Sequence, residues 1–105
     1  MIDISKLKDP SPWHPMDSAI DIKNIGKLGE EICEAGAAIF RCIIQGVDES
    51  HPVTEKPNKE WLEDELADVM AGINLVTAHF GLDEDRMNER MNAKMLHLKK
   101  WHDMA

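Results

Sequence analysis

The sequence lacks several features, and each absence narrows the class of protein that it can encode. No apolar run approaches the ~20 residues that a membrane-spanning helix needs. The N-terminal string MIDISKLKDPSPW has no apolar stretch of the kind found in a signal peptide. Tyrosine is absent, and no segment alternates β-branched with polar residues, so strands are not predicted. We therefore expect an all-α protein that is soluble, cytoplasmic and without a membrane partner.

Basic residues and paired cysteines are also scarce. The chain has 12 Lys and Arg against 20 Asp and Glu, a net charge of −8 at pH 7. General nucleic-acid binding needs a basic surface, so nucleic acid is not an expected partner. Cys33 and Cys42 lie on one predicted helix, too far apart to bond each other, and no CxxC motif could hold zinc. Both thiols are expected to be reduced.

The length of 105 residues predicts a single domain, with an extended arm followed by three helices. Three of the five prolines lie within residues 1–16, and proline at that density excludes a helix there. Apolar residues at helical spacing predict three main helices, which cover residues 18–45, 58–80 and 83–101.

Polar and glycine residues at the predicted helix ends fit the usual capping preferences. Ser18 and Asn58 are the expected N-terminal caps of the first two helices. Gly46 and Gly81 are the expected stops. The connection between the first two helices is too long for a tight turn, and we expect it to act as a lid or as an oligomer contact.

The placement of acidic residues is the most informative feature of the sequence. Glu31 and Glu34 stand in the string KLGEEICEA, and Glu65 and Asp68 in WLEDELADV. Each of the four immediately precedes an apolar stripe residue, so all lie at the margin of the core. If the two helices pack antiparallel, the two pairs can face one another. Because four converging carboxylates repel one another, a hard cation such as Mg²⁺ would resolve the arrangement and leave coordination sites for water and phosphate.

The acidic pairs have two other interpretations. Acidic residues three or four apart commonly form a solvated helix face, and the matched phase of the two pairs weighs against this without excluding it. A di-iron carboxylate bundle is disfavoured because no His follows any Glu by three residues.

Asn24 lies one turn before Lys27 on the same helix edge, where its amide could bind a base or a sugar hydroxyl.

These strings resemble the signature of the MazG-like, all-α nucleoside triphosphate pyrophosphohydrolases. Glu30 to Glu34 reads EExxE, and Glu65 to Asp68 reads ExxD. The flanking strings KLGEE and DELADV are similar to the family's KLxEE and xELxDV. The later string RMNAK, residues 90–94, resembles the (K/R)xNxK stretch of the family's last helix. The resemblance covers about residues 20–101, most of the chain.

The resemblance implies a helical bundle that forms a homodimer or homotetramer. It implies Mg²⁺-dependent hydrolysis of a (d)NTP to the (d)NMP and pyrophosphate, with Mn²⁺ as a possible substitute. Purine deoxynucleotides such as dATP and dGTP are the substrates that we favour. A non-catalytic oligomerisation or regulatory module on the same scaffold is the alternative.

The resemblance also implies roles for individual residues. The implied metal ligands, which are also catalytic, are Glu31, Glu34, Glu65 and Asp68. Glu30 would be catalytic by supporting a ligand or by positioning the attacking water. The implied phosphate contacts are Lys27, Arg90, Asn92 and Lys94.

Overall fold

Three helices make up the computed structural model, which describes residues 3–6 and 13–104. They are α1 (Ala19–Gln45), α2 (Asn58–Phe80) and α3 (Glu84–Met104), preceded by a 3₁₀ turn at Ile4–Lys6. Within the described ranges there is no strand. None of the described helices is both long and apolar enough to cross a membrane. The prediction of an all-α fold is confirmed, and the helix bounds differ from the predicted ones by at most three residues.

The predicted N-terminal arm is described only in part. Residues 13–18 have no regular structure, in agreement with an extended segment leading into α1. The short 3₁₀ helix at Ile4–Lys6 departs from the prediction that residues 1–16 contain no helix, because it precedes the first proline of the arm. Pro10 and Pro12, on which much of that prediction rests, lie outside the described residues.

Three of the four predicted helix boundaries are confirmed. The Ser18 hydroxyl caps α1 by accepting a hydrogen bond from the backbone N–H of Asp21 at 3.3 Å. Gly46 follows the last residue of α1 with a φ of 103°. Gly81 ends α2 in the left-handed conformation, with a φ of 62°, which glycine adopts without the steric cost that a Cβ brings.

The prediction that Asn58 caps α2 is wrong. Asn58 is the first residue of α2, and the preceding residue, Pro57, makes no side-chain capping bond. The Asn58 side chain is 1% exposed and donates from Nδ2 to the carbonyl oxygen of Gly46 at 2.9 Å. It therefore ties the start of α2 to the end of α1, across the connection between them.

Helices α1 and α2 form an antiparallel hairpin, called here the α1–α2 hairpin (residues 19–80). The imidazole of His79 lies 2.6 Å from the carboxylate of Asp21 at one end, and Asn58 joins the helices at the other. Gly72 marks a close approach between them, because a Cβ added there would lie 3.0 Å from Cδ1 of Leu28. The antiparallel packing that the acidic pairs require is present.

The buried core of the described chain is small, and α3 contributes nothing to it. The buried apolar side chains are Ala35, Ala38 and Val76. Helices α1 and α2 pack along their length, whereas α3 meets α2 only near its first turns. The radius of gyration is 19.7 Å, against about 13 Å for a compact chain of this length. The predicted helical bundle is thus, within one chain, a hairpin with a diverging third helix.

Candidate metal centre

Three of the predicted ligands converge in the α1–α2 hairpin. Glu31 comes from α1, and Glu65 and Asp68 come from successive turns of α2. One carboxylate oxygen from each lies within 4.8 Å of the others. Antiparallel packing produces this arrangement, because it sets the middle of α1 beside the first half of α2. The three carboxylates offer the hard oxygen donors that divalent cations such as Mg²⁺ prefer.

Two oxygens of this cluster are buried and lack a hydrogen-bond partner. They are Oε2 of Glu31 and Oε2 of Glu65. The side chain of Glu31 is only 13% exposed, while Asp68 is exposed. A buried carboxylate oxygen without a partner is costly, and a cation is one way to satisfy it. The donor set and its unsatisfied oxygens fit a divalent cation reached from the solvent side of Asp68.

Glu34, the fourth predicted ligand, is coupled to the cluster by charge. It is exposed on α1 and is not one of the three carboxylates that converge. Repulsion from Glu31, followed by desolvation and by repulsion from Glu65, raises the pKa of Glu34 above its ordinary value. The carboxylates therefore crowd one another electrostatically, as the sequence pattern predicts.

Lys27 lies against two of the predicted carboxylates. Its Nζ is 3.3 Å from Oε1 of Glu31 and 3.3 Å from Oε1 of Glu30. The hydrogen bond to Glu31, and then the one to Glu30, raise the pKa of the Lys27 ammonium. Lys27 thus partly neutralises the cluster from one side, and Glu30 is joined to Glu31 through this shared cation.

Trp61 contacts the cluster, which the sequence interpretation missed. Its indole Nε1 donates to Oε1 of Glu65 at 3.3 Å, one helical turn away. The guanidinium carbon of Arg41 lies 5.3 Å from the centroid of the Trp61 ring, within range of a cation–π interaction. The spacing of four residues between Trp61 and Glu65 was the available signal, because such residues are neighbours on a helix.

Asn24 and Lys27 line a small cavity beside the cluster. The cavity is about 250 Å³, and Lys23 and Gly72 also contribute to its wall. The Asn24 amide donates from Nδ2 to the carbonyl oxygen of Ile20 at 2.9 Å. The two residues predicted to bind substrate from α1 are therefore together, at the groove between α1 and α2.

The three predicted phosphate contacts on α3 are not brought to the acidic cluster within one chain. Arg90 and Lys94 share one face of α3 with Arg86, around a surface cavity of about 650 Å³. Asn92 lines a different cavity, together with Lys99. Of the three predicted phosphate contacts on α3, only Arg90 and Lys94 therefore lie on a common face.

Comparison of the chain with protein-family models, with curated proteins and with solved structures gave no match.

Proposed function

We propose that the protein is a Mg²⁺-dependent nucleoside triphosphate pyrophosphohydrolase, which cleaves a (d)NTP to the (d)NMP and pyrophosphate. The observation that carries the proposal is the convergence of Glu31, Glu65 and Asp68 within 4.8 Å, across two helices. The same residues belong to the EExxE and ExxD strings that resemble the MazG-like family. The geometry therefore brings together three of the four side chains that the resemblance implies as metal ligands.

The charge of the protein favours a metal-assisted reaction on an anionic substrate. A chain at −8 with a carboxylate cluster repels a triphosphate unless a cation lies between them. A divalent cation held by Glu31, Glu65 and Asp68, with Glu34 beside them, would polarise the phosphoryl group and lower the pKa of a bound water. Mg²⁺ is the proposed ion, and Mn²⁺ is the proposed substitute.

The remaining predicted residues have roles that follow from their places. Glu30 shares Lys27 with Glu31, which suits it to support that ligand or to orient the attacking water. Asn24 and Lys27 line the cavity beside the cluster and would bind the nucleotide. Arg90, Lys94 and Asn92 on α3 would stabilise the negative charge of the phosphates. Attack at the α-phosphorus is what the resemblance implies, and purine deoxynucleotides are the substrates that we favour.

The proposed partner, besides the substrate, is a second copy of the chain in a homodimer or homotetramer, and the proposed location is the cytoplasm. Apolar side chains remain exposed along all three helices of the isolated chain, which favours self-association. The same exposed faces favour the second candidate function, a non-catalytic oligomerisation or regulatory module on this scaffold.

The test is a substrate screen with matched variants. The protein is incubated with each canonical and modified dNTP and Mg²⁺, and pyrophosphate is measured. We expect turnover by the wild type, and loss of turnover with folding preserved in Glu65→Gln. Glu63→Gln removes a charge from an exposed position of the same helix and should remain active. A wild type that releases no pyrophosphate from any nucleotide would favour the non-catalytic module.

A further inference from the structure

Beyond its first turns, helix α3 packs on no other described part of its own chain. Every side chain described from residue 84 to residue 103 is exposed, including Met95 at 60% and Trp101 at 65%. Most of the stability of a helix in a protein comes from packing of its apolar face rather than from helix propensity, and α3 has 21 residues. The apolar residues of α3 recur at helical spacing and therefore form a face that needs an apolar partner.

The α1–α2 hairpin exposes a complementary apolar surface next to the acidic cluster. Ile32 follows Glu31 and is 52% exposed, and Leu66 follows Glu65 and is 43% exposed. A cavity of about 540 Å³ also opens between α2 and α3, with Met70 and Ile73 on one wall and Met87 on the other. Both the hairpin and α3 therefore leave apolar surface that the described residues of one chain do not cover.

Charge is divided between the same two parts of the chain. Residues 19–80 hold 12 Asp and Glu against five Lys and Arg, whereas α3 holds four acidic and five basic residues. Arg86, Arg90 and Lys94 recur every four residues and line one cavity on α3. None of the three forms an ion pair with another described residue. This row of three cations, the α3 basic stripe, complements the uncompensated acids of the hairpin.

From these observations we propose that two copies of the chain exchange their third helices. Helix α3 of one copy packs on the α1–α2 hairpin of the other, and its basic stripe lies beside the acidic cluster of that second copy. The interface is two-fold symmetric, so each dimer contains two composite sites. The composite site rests on the proposed function for its activity, whereas the interface rests on the exposed apolar surface and the charge division.

Complementation between inactive variants tests the shared site. Glu31→Gln/Glu65→Gln has a defective hairpin, and Arg90→Gln/Lys94→Gln, which removes the two charges without reversing them, has a defective α3. We expect each variant alone to be inactive. An equal mixture, refolded together, should recover about a quarter of wild-type activity, because half the dimers are mixed and each mixed dimer holds one intact site. A mixture no more active than either variant alone would show that α3 serves its own hairpin, and would overturn the proposal.

A second experiment measures the oligomeric state of the protein and does not depend on enzymatic activity. Native mass spectrometry of the wild type should give a dimer or an even multiple of it. Arg90→Glu/Lys94→Glu and Glu31→Lys/Glu65→Lys should each be monomeric and should form a mixed dimer when combined, since opposite charges then face each other at both contacts. Formation of the mixed dimer would also show that each variant chain can fold. Lys99→Glu/Lys100→Glu, the matched control, should assemble like the wild type.

Together, the two experiments distinguish failure of the proposed function from failure of the proposed interface. An inactive wild type whose charge-reversed variants form the mixed dimer would remove the proposed function and keep the exchanged interface. A monomeric wild type, or charge-reversed variants that self-associate as well as the wild type, would overturn the interface. If the chain assembled only when a different protein was added, the partner of α3 would not be a second copy of the chain, and the proposal would again be contradicted.

Discussion

The indole Nε1 of Trp61 donates a hydrogen bond to Oε1 of Glu65, at 3.3 Å and one helical turn away. The guanidinium carbon of Arg41 lies over the same ring, 5.3 Å from its centroid. The other oxygen of Glu65, Oε2, is buried and has no partner. Trp61 thus fixes one oxygen of a proposed ligand and leaves the other available to a cation.

Replacing Trp61 with Phe is expected to weaken cation binding while preserving the fold. The Phe ring keeps most of the packing but has no donor for Glu65, and losing an outer partner of a metal ligand costs about tenfold in affinity. Isothermal titration with Mg²⁺ measures the change. Trp101→Phe removes an indole from an exposed position on α3 and serves as the control. Equal Mg²⁺ affinity in Trp61→Phe and wild type would exclude this role for the indole.

Glu34 should make the stability of the metal-free protein depend on pH. Its folded-state pKa is raised above the ordinary value of 4.5, mainly by repulsion from Glu31. The folded protein therefore holds this proton more tightly than the unfolded chain, so the free energy of unfolding falls as the pH rises from 4.5 through the raised pKa. Glu34→Gln removes the repulsion and should have a higher Tm than the wild type at pH 7.

Thermal denaturation between acidic and neutral pH checks this expectation. The difference in Tm between Glu34→Gln and wild type should disappear well below 4.5, where Glu34 is protonated in both states. Glu63→Gln, at an exposed position of α2, is the control and should show no comparable trend. A Tm for Glu34→Gln below that of the wild type at pH 7 would contradict the repulsion. Added Mg²⁺ should raise the Tm of the wild type more than that of the variant.

Local sequence signals predicted the helices well, because periodicity and caps such as Ser18 act over a few residues. The antiparallel pairing that unites Glu31 with Glu65 was predicted conditionally, from the matched phase of the two acidic pairs. The role of Asn58 was not predicted, because its bond to Gly46 spans the connection between the helices. The position of α3 was also not predicted. The spacing of its apolar residues shows that one face of the helix needs to be buried, but it does not identify the surface that buries it.

Asn58 is expected to be a large local contributor to stability. Its buried amide satisfies the carbonyl of Gly46 and so holds the end of α1 to the start of α2. Asn58→Ala leaves that carbonyl without its donor and should lower the free energy of unfolding by about 1–3 kcal/mol. Urea denaturation measures the loss, with Asn74→Ala, an exposed position of α2, as the matched control. Equal losses for the two variants would remove the special role of Asn58.

Replacing Gly26 and Gly72 with alanine should have different effects on the free energy of unfolding. At Gly26 an added Cβ meets nothing within 4 Å, so Gly26→Ala should gain about 0.5–1 kcal/mol from helix propensity. At Gly72 the Cβ would lie 3.0 Å from Leu28, so the steric conflict should cancel that gain or reverse it. Urea denaturation of both variants tests the difference. A gain at Gly72 as large as that at Gly26 would show that α1 and α2 do not pack closely there.

Both the proposed reaction and the composite site require that Glu31, Glu65 and Asp68 hold a divalent cation between α1 and α2. A crystal structure grown with Mn²⁺ and a non-hydrolysable dNTP analogue tests it most directly, because the anomalous signal of Mn²⁺ locates the ion. We expect an anomalous peak within coordination distance of these three carboxylates, with phosphate oxygens on its open side. Carboxylates that point apart into solvent, with no peak between them while nucleotide is bound elsewhere, would contradict it.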